Sequence, residues 1–226
     1  MKFGLWFEPE MISPDSDLYR EYPDWAIHID EREGVQSRNQ MVLDLSRDEV
    51  CEYVINAVSD ILANANIEYV KWDMNRQLTD MPRLGYNHEY TLGYYKIMSA
   101  ITEKFPNILF EGCSAGGGRF DAGVLAYMPQ IWTSDNSDAI ARLKMQYSTS
   151  MCYPVYSISS HVTASPNHQC GRDTSLKTRA DVAYCGTFGY ELDVTKMSDE
   201  EFEEIKAQIK FEKRIQDLMC NVTCTD

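Results

Sequence analysis

Two groups of carboxylates stand where catalysis is a possible use. Asp73 closes the apolar run Tyr69-Val70-Lys71-Trp72, two positions after Lys71 and three before Arg76. Cations so close would hold a carboxylate ionised, which suits a nucleophile better than an acid. A structural ion pair at a strand end accounts for the same residues equally well. Asp135 and Asp138 flank Asn136 and Ser137 after Ile131-Trp132. A carboxyl beside an indole such as Trp132 would be desolvated and its pKa raised, which suits a proton donor. Asp138 is better placed to cap a helix that starts near Ala139, and Asp135, nearer the strand, is better placed for chemistry. Two carboxyls on different strands, one nucleophile and one acid, are the minimal apparatus for cleaving a glycosidic bond. Trp6, Trp72 and Trp132 near strand ends would offer stacking faces to a sugar, although a core position is the commoner fate of a lone tryptophan.

The run Cys113-Ser114-Ala115-Gly116-Gly117-Gly118 lacks the spacing of either common phosphate loop. It lets backbone approach a ligand closely, or it is a plain turn.

These residues need strands to carry them, and the hydrophobic pattern supplies candidates. Phe3 to Phe7, 69–73, 108–110, 130–133, 155–158 and 188–192 are short apolar runs. Longer amphipathic segments lie between them. Ser46 and Glu49 have the form of a capping box, followed by Val50, Tyr53, Val54, Ala57, Val58, Ile61 and Leu62 at helical spacing. A second helix is predicted over 88–104, with Leu92, Tyr95, Met98, Ile101 and Phe105 inward and Pro106 as its stop. A last helix opens with Ser198 and Glu201, again as a capping box, and carries Phe202, Ile205, Ile209 and Leu218. Strand and helix alternating at this rhythm imply an α/β fold of parallel crossover units. Polar residues gather just after the strand runs (Glu8 and Glu10, Asp73 and Arg76, Cys113 and Ser114, Asp135 and Asp138), as expected where strand carboxyl ends carry the chemistry. Periodicity does not choose between a closed barrel and an open sheet.

The 226 residues suffice for one sizeable core, and no linker or repeat divides them. Lys and Arg number 21 against 35 Asp and Glu, a net charge of −14 that disfavours nucleic acid and anionic membranes as partners. Apolar stretches are too short for a spanning helix, and MKFGLWFEPE is too broken by charge to be a signal peptide. Seven cysteines without a CxxC pair, and four scattered histidines, favour free thiols in a reducing cytosol and no metal or other cofactor.

Taken in order, the segments KFGLWFEPEM (2–11), PDW (23–25), RNQMVLDLS (38–46), KWDMNR (71–76), EGCSAGGGRFDAGVL (111–125), WTSDNSDAIAR (132–142), SSHVTASPNHQCGR (159–172) and GTFGYELD (186–193) resemble glycoside hydrolase family 36, the α-galactosidases. The resemblance implies a (β/α)8 catalytic barrel and a double displacement that retains anomeric configuration. On that resemblance Asp73 matches the nucleophile and Asp135 the acid/base. Trp6, Arg38, Lys71, Trp72, Asn75, Cys113 and Gly116 fall at or beside positions lining the galactose subsite. Lys71 and Arg38 would favour the ionised form of Asp73, and Gly116 would leave room for the sugar. The implied substrate is a raffinose- or melibiose-type oligosaccharide, and full-length members are expected to be homo-oligomeric. Residues 1–219 correspond to about six of the eight strands, with the first two missing, and 220–226 form an unassigned tail. Such a chain is expected to be weakly active or inactive alone. A silent sugar-binding or assembly fragment, and an α-N-acetylgalactosaminidase, are the alternatives.

Overall fold

A computed structural model describes residues 2–221 of the protein, which divides into two compact units, Met1–Ala115 with Asp121–Pro129, and Gly116–Phe120 with Gln130–Asp226. All but the first two residues of the 220–226 tail fall outside the described residues.

The first unit holds three parallel strands, β1 (Gly4–Phe7), β4 (Tyr69–Trp72) and β5 (Leu109–Gly112), with β4 in the middle. Two further strands, β2 (Met11–Ile12) and β3 (Met41–Val42), pair antiparallel. Its helices are α1 (Asp17–Glu21), α2 (Asp48–Asn64), α3 (Tyr86–Lys104) and the short α4 (Ala122–Leu125). Register settles which side chains share a face. Trp6 lies level with Lys71, and Lys71 with Glu111. Because side chains alternate along a strand, Glu8, Asp73 and Cys113, two residues further on, continue those rows on the same side. Val70, Trp72 and Phe110 have the opposite parity and are fully buried.

Two helices depart from expectation in instructive ways. The capping box at α2 does not form: Arg47 is the N-cap residue, and Ser46 donates instead to Asp44. Glu49 is taken by Arg47, which also binds Asp24. On α3 the inward face is Tyr90, Tyr94, Ile97, Met98 and Ile101, while Leu92 is exposed. Three of its four tyrosines, Tyr86, Tyr90 and Tyr94, are buried and Tyr95 is partly so, which turns the inward face toward them and away from Leu92.

The second unit also holds three parallel strands, β6 (Gln130–Trp132), β7 (Ile158–Thr163) and β8 (Thr187–Glu191), with β7 central. The helices α5 (Ala139–Ser150), α6 (Leu176–Ala183) and α7 (Asp199–Asn221) complete it. The predicted strand 155–158 is instead a 3-10 turn, Val155–Ser157, and the strand begins at Ile158. Val162 packs with Leu176, Ala180, Ala183 and Ile205 as the apolar core of this unit. Buried polar side chains supplement it. Arg142 donates to the carbonyl of Ser159 at 2.6 Å, Gln146 donates to those of Val182 and Cys185, and Arg179 donates to that of Thr163. Hydrogen bonds from a charged donor contribute about 1.5–3 kcal/mol each, so α5 and α6 are fastened to fixed points on the backbone. The capping box of α7 does form, with Ser198 and Glu201 exchanging backbone-to-side-chain bonds. Ile205 is buried, Phe202 and Ile209 are partly exposed, and the side chain of Leu218 lies outside the described residues.

Candidate active site

In the first unit the carboxylate of Asp73 sits in a nest of donors. Its Oδ2 accepts from the indole Nε1 of Trp6 at 3.1 Å and from Nδ2 of Asn75 at 2.8 Å. Its Oδ1 accepts from the backbone N–H of Met74 at 2.8 Å, and the Cys113 thiol supplies a further hydrogen bond. Burial acts to raise the pKa of Asp73, but hydrogen bonds from Cys113, Asn75, Trp6 and Met74 outweigh it and hold the group below the ordinary carboxylate value. The groups that outweigh burial are therefore uncharged donors, where nearby cations were expected. Lys71 stands 3.3 Å from Glu111, and Arg38 stands 3.8 Å from Glu8. An ionised carboxylate fixed by three side chains and one peptide, with Trp6 half exposed beside it, has the character of a positioned nucleophile next to an aromatic platform.

Around this nest the same strand face adds residues that the motifs left without a role. Glu8 Oε1 accepts both the backbone N–H and the side-chain Nδ2 of Asn75, at 2.9 and 2.8 Å. The Asn75 amide therefore bridges two carboxylates. Glu111 is fully buried, with Lys71 and the Tyr69 hydroxyl against it. Burial and then the charge of Glu111 push the Tyr69 phenol far up, so it remains a donor. Glu8 in WFEPE and Glu111 in LFEG are visible in the sequence, and strand parity with Trp6 and Lys71 is the signal that assigns these two to the Asp73 face.

Arg38 is largely exposed and occupies an unusual backbone site. Ser37 and Gln40 pair through two backbone hydrogen bonds of 3.0 Å, with Arg38 and Asn39 between them at φ of 55° and 59°. This is a tight two-residue hairpin, in which Asn is commonplace and Arg is not. Trp72 corrects an expectation. It is fully buried on the opposite face, donating from Nε1 to Glu10 at 2.8 Å, and offers no stacking face to a sugar. Glu10 also receives the Tyr90 hydroxyl at 2.7 Å.

The second unit places Asp135 and Gly116 together. Gly116 has φ +84°, and a Cβ there would fall 2.7 Å from Ser134 Cα and 2.9 Å from the Asp135 nitrogen. Its lack of a side chain lets the loop bearing Asp135 close against it. The Asp135 carboxylate is exposed rather than lodged against Trp132. That indole is buried, stacked on His161 and covered by the Arg142 guanidinium at 4.4 Å. Asp138 is the N-cap of α5, accepting from the Ala141 N–H at 3.0 Å, and lies 3.2 Å from Arg172. Arg142 also donates to the Ser134 carbonyl at 3.0 Å, just ahead of Asp135.

Comparison with known proteins places this geometry in context. The family model described as Melibiase matches residues 1–221. The α-galactosidase AgaA of Geobacillus stearothermophilus is 53% identical, across 97% of this chain and 31% of its own length. Its crystal structure superposes with a TM-score of 0.94, and another crystal structure of AgaA, in complex with raffinose, is also similar at 0.94. The α-galactosidase Mel36A of Lactobacillus acidophilus is 50% identical over 96% of this chain and 31% of its own length. The chain thus spans about a third of the length of these relatives. Its fold class is that of an incomplete (β/α)8 barrel, with six of the eight strands among the described residues.

Proposed function

The chain belongs to the Melibiase family, and from that premise we propose that it forms the catalytic part of a retaining α-galactosidase acting on raffinose- or melibiose-type oligosaccharides. The observation that carries the reading is the Asp73 nest, an ionised, buried carboxylate held by Trp6, Asn75, Cys113 and Met74. In the first step Asp73 attacks C1 of the galactosyl unit while Asp135 gives its proton to the departing oxygen, leaving a galactosyl ester. In the second step Asp135 takes a proton from water, the water oxygen bonds to C1, and the ester bond to Asp73 breaks. Trp6, Arg38, Lys71, Asn75 and Cys113 are proposed to hold the sugar, while Trp72 supports Glu10 from behind the sheet. A reducing compartment, the cytosol, is supported by Cys51, Cys113, Cys152, Cys170 and Cys185, which are thiols outside any disulfide.

The test is hydrolysis of 4-nitrophenyl α-galactoside by the complete gene product. Asp73→Gly should abolish turnover, and added azide should restore release of nitrophenolate while yielding the β-galactosyl azide. A product of retained configuration, or no loss on Asp73→Gly, refutes the assignment. Faster hydrolysis of the α-N-acetylgalactosaminide would move the substrate class.

A further inference from the structure

Asp135 is exposed, so the direction of its carboxylate depends on how its own backbone is held. That backbone is held in large part by a residue to which neither the motifs nor the mechanism gives a role. Gln169 reaches across from the loop after β7 and clasps both sides of Asn136. Its Nε2 donates to the Asp135 carbonyl at 2.7 Å, and its Oε1 accepts the Ser137 N–H at 2.9 Å. The carboxamide acts as a strand partner would, satisfying one donor and one acceptor of the loop at once.

The clasp is itself held in place. Buried Asn167 accepts the N–H groups of Gln169 and Cys170 at 3.0 and 3.1 Å, and donates from Nδ2 to the Ser137 hydroxyl at 3.0 Å. Thr163 donates to the Ser137 carbonyl at 3.0 Å, and Arg142 holds the Ser134 carbonyl on the other flank. Of these residues Gln169 is the exposed one, so it can be truncated without opening the core.

We propose that Gln169 is a positioning residue that aims the Asp135 carboxyl at the leaving oxygen, an inference that rests on reading Asp135 as the acid/base. Proton donation matters most for poor leaving groups and little for those that depart as stable anions. Misplacing the donor therefore has a selective signature.

The experiment compares Gln169→Ala with wild type in the complete gene product, using melibiose and 2,4-dinitrophenyl α-galactoside. The value of kcat/KM should fall about tenfold or more on melibiose and less than twofold on the dinitrophenyl substrate. In an Asp135→Ala background the same change should add less than twofold, because the group it aims is gone. Hydrogen exchange at the Ser137 amide should accelerate in Gln169→Ala. Equal slowing of both substrates, additive slowing in the Asp135→Ala background, or unchanged exchange at Ser137 overturns the positioning role alone. An Asp135→Ala protein that keeps the wild-type kcat/KM on melibiose overturns the acid/base reading, and this inference falls with it.

Discussion

Replacing Asn75 by alanine should move the Asp73 pKa upward, toward that of an ordinary carboxylate. The wild-type value is set by a contest in which burial raises the pKa and four hydrogen bonds lower it below 3.8. The Asn75 bond is short, 2.8 Å, and reaches a buried acceptor that water cannot easily supply in its place. A hydrogen bond to a charged group contributes about 1.5–3 kcal/mol. At 1.36 kcal/mol per unit, its loss raises the Asp73 pKa by about one to two units. The backbone N–H of residue 75 survives the change and still serves Glu8. Trp6→Phe is the internal comparison: its bond is longer, 3.1 Å, and the indole is half exposed, so solvent substitutes and the shift should stay under about one unit. Titration of the Asp73 carboxyl carbon by NMR measures both without recourse to activity. Linkage gives a second readout. A carboxylate whose folded pKa is depressed adds stability above its unfolded pKa and loses it as pH falls through the folded value. Asn75→Ala should therefore be less stable than wild type at neutral pH, with the charge-dependent part of the gap closing as pH falls through the folded pKa of the variant and then that of wild type. An Asp73 titration midpoint identical in wild type and Asn75→Ala, or a larger shift in Trp6→Phe, would refute the account of the nest.

Gly116→Ala should cost about 1–3 kcal/mol in urea unfolding, since it combines a left-handed backbone with contact against Ser134 and Asp135. Gly171→Ala, at φ +69° with open space around it, should cost only the backbone part, about 1–2 kcal/mol. Asp138→Ala should lose about 1–2 kcal/mol from the cap of α5, and Asp138→Asn, which keeps an acceptor for the Ala141 N–H, should lose less. Were Asp138→Ala more damaging to melibiose hydrolysis than Asp135→Ala, the acid/base assignment would be wrong.

Much of the parallel α/β plan was legible because strands β1, β4, β5 and β6 are apolar runs followed by polar residues. Strand β7 was not, since Ser159, Ser160, His161 and Thr163 give it a polar sequence. Those residues are accommodated by partners remote in sequence, such as Gln130 for Ser159 and Gln146 for Ser160, which no local window reveals. The fate of Trp72 was legible in principle: adjacent residues of a strand face opposite ways, so Trp72 and Asp73 cannot share a site. The donors around Asp73 were partly legible. Asn75 stands two residues away, but Trp6 and Cys113 reach it through strand register, as does Glu8 to Asn75. Gln169 lies within the quoted segment 159–172, but its role left no signal, because its two bonds are to backbone and specify no residue type on the loop they hold.

The fastening of α5 and α6 by guanidinium and carboxamide groups bears on how the protein tolerates change. Oily contacts let a helix slide or roll to suit a new neighbour, whereas a fork of N–H groups on a carbonyl admits one pose. With Arg142 anchoring both Ser159 and Ser134, side chains on the solvent-facing side of α5, such as Leu143 and Tyr147, can be exchanged while the helix and the loop beneath stay put. Outer decoration and inner chemistry are thereby decoupled on a single helix.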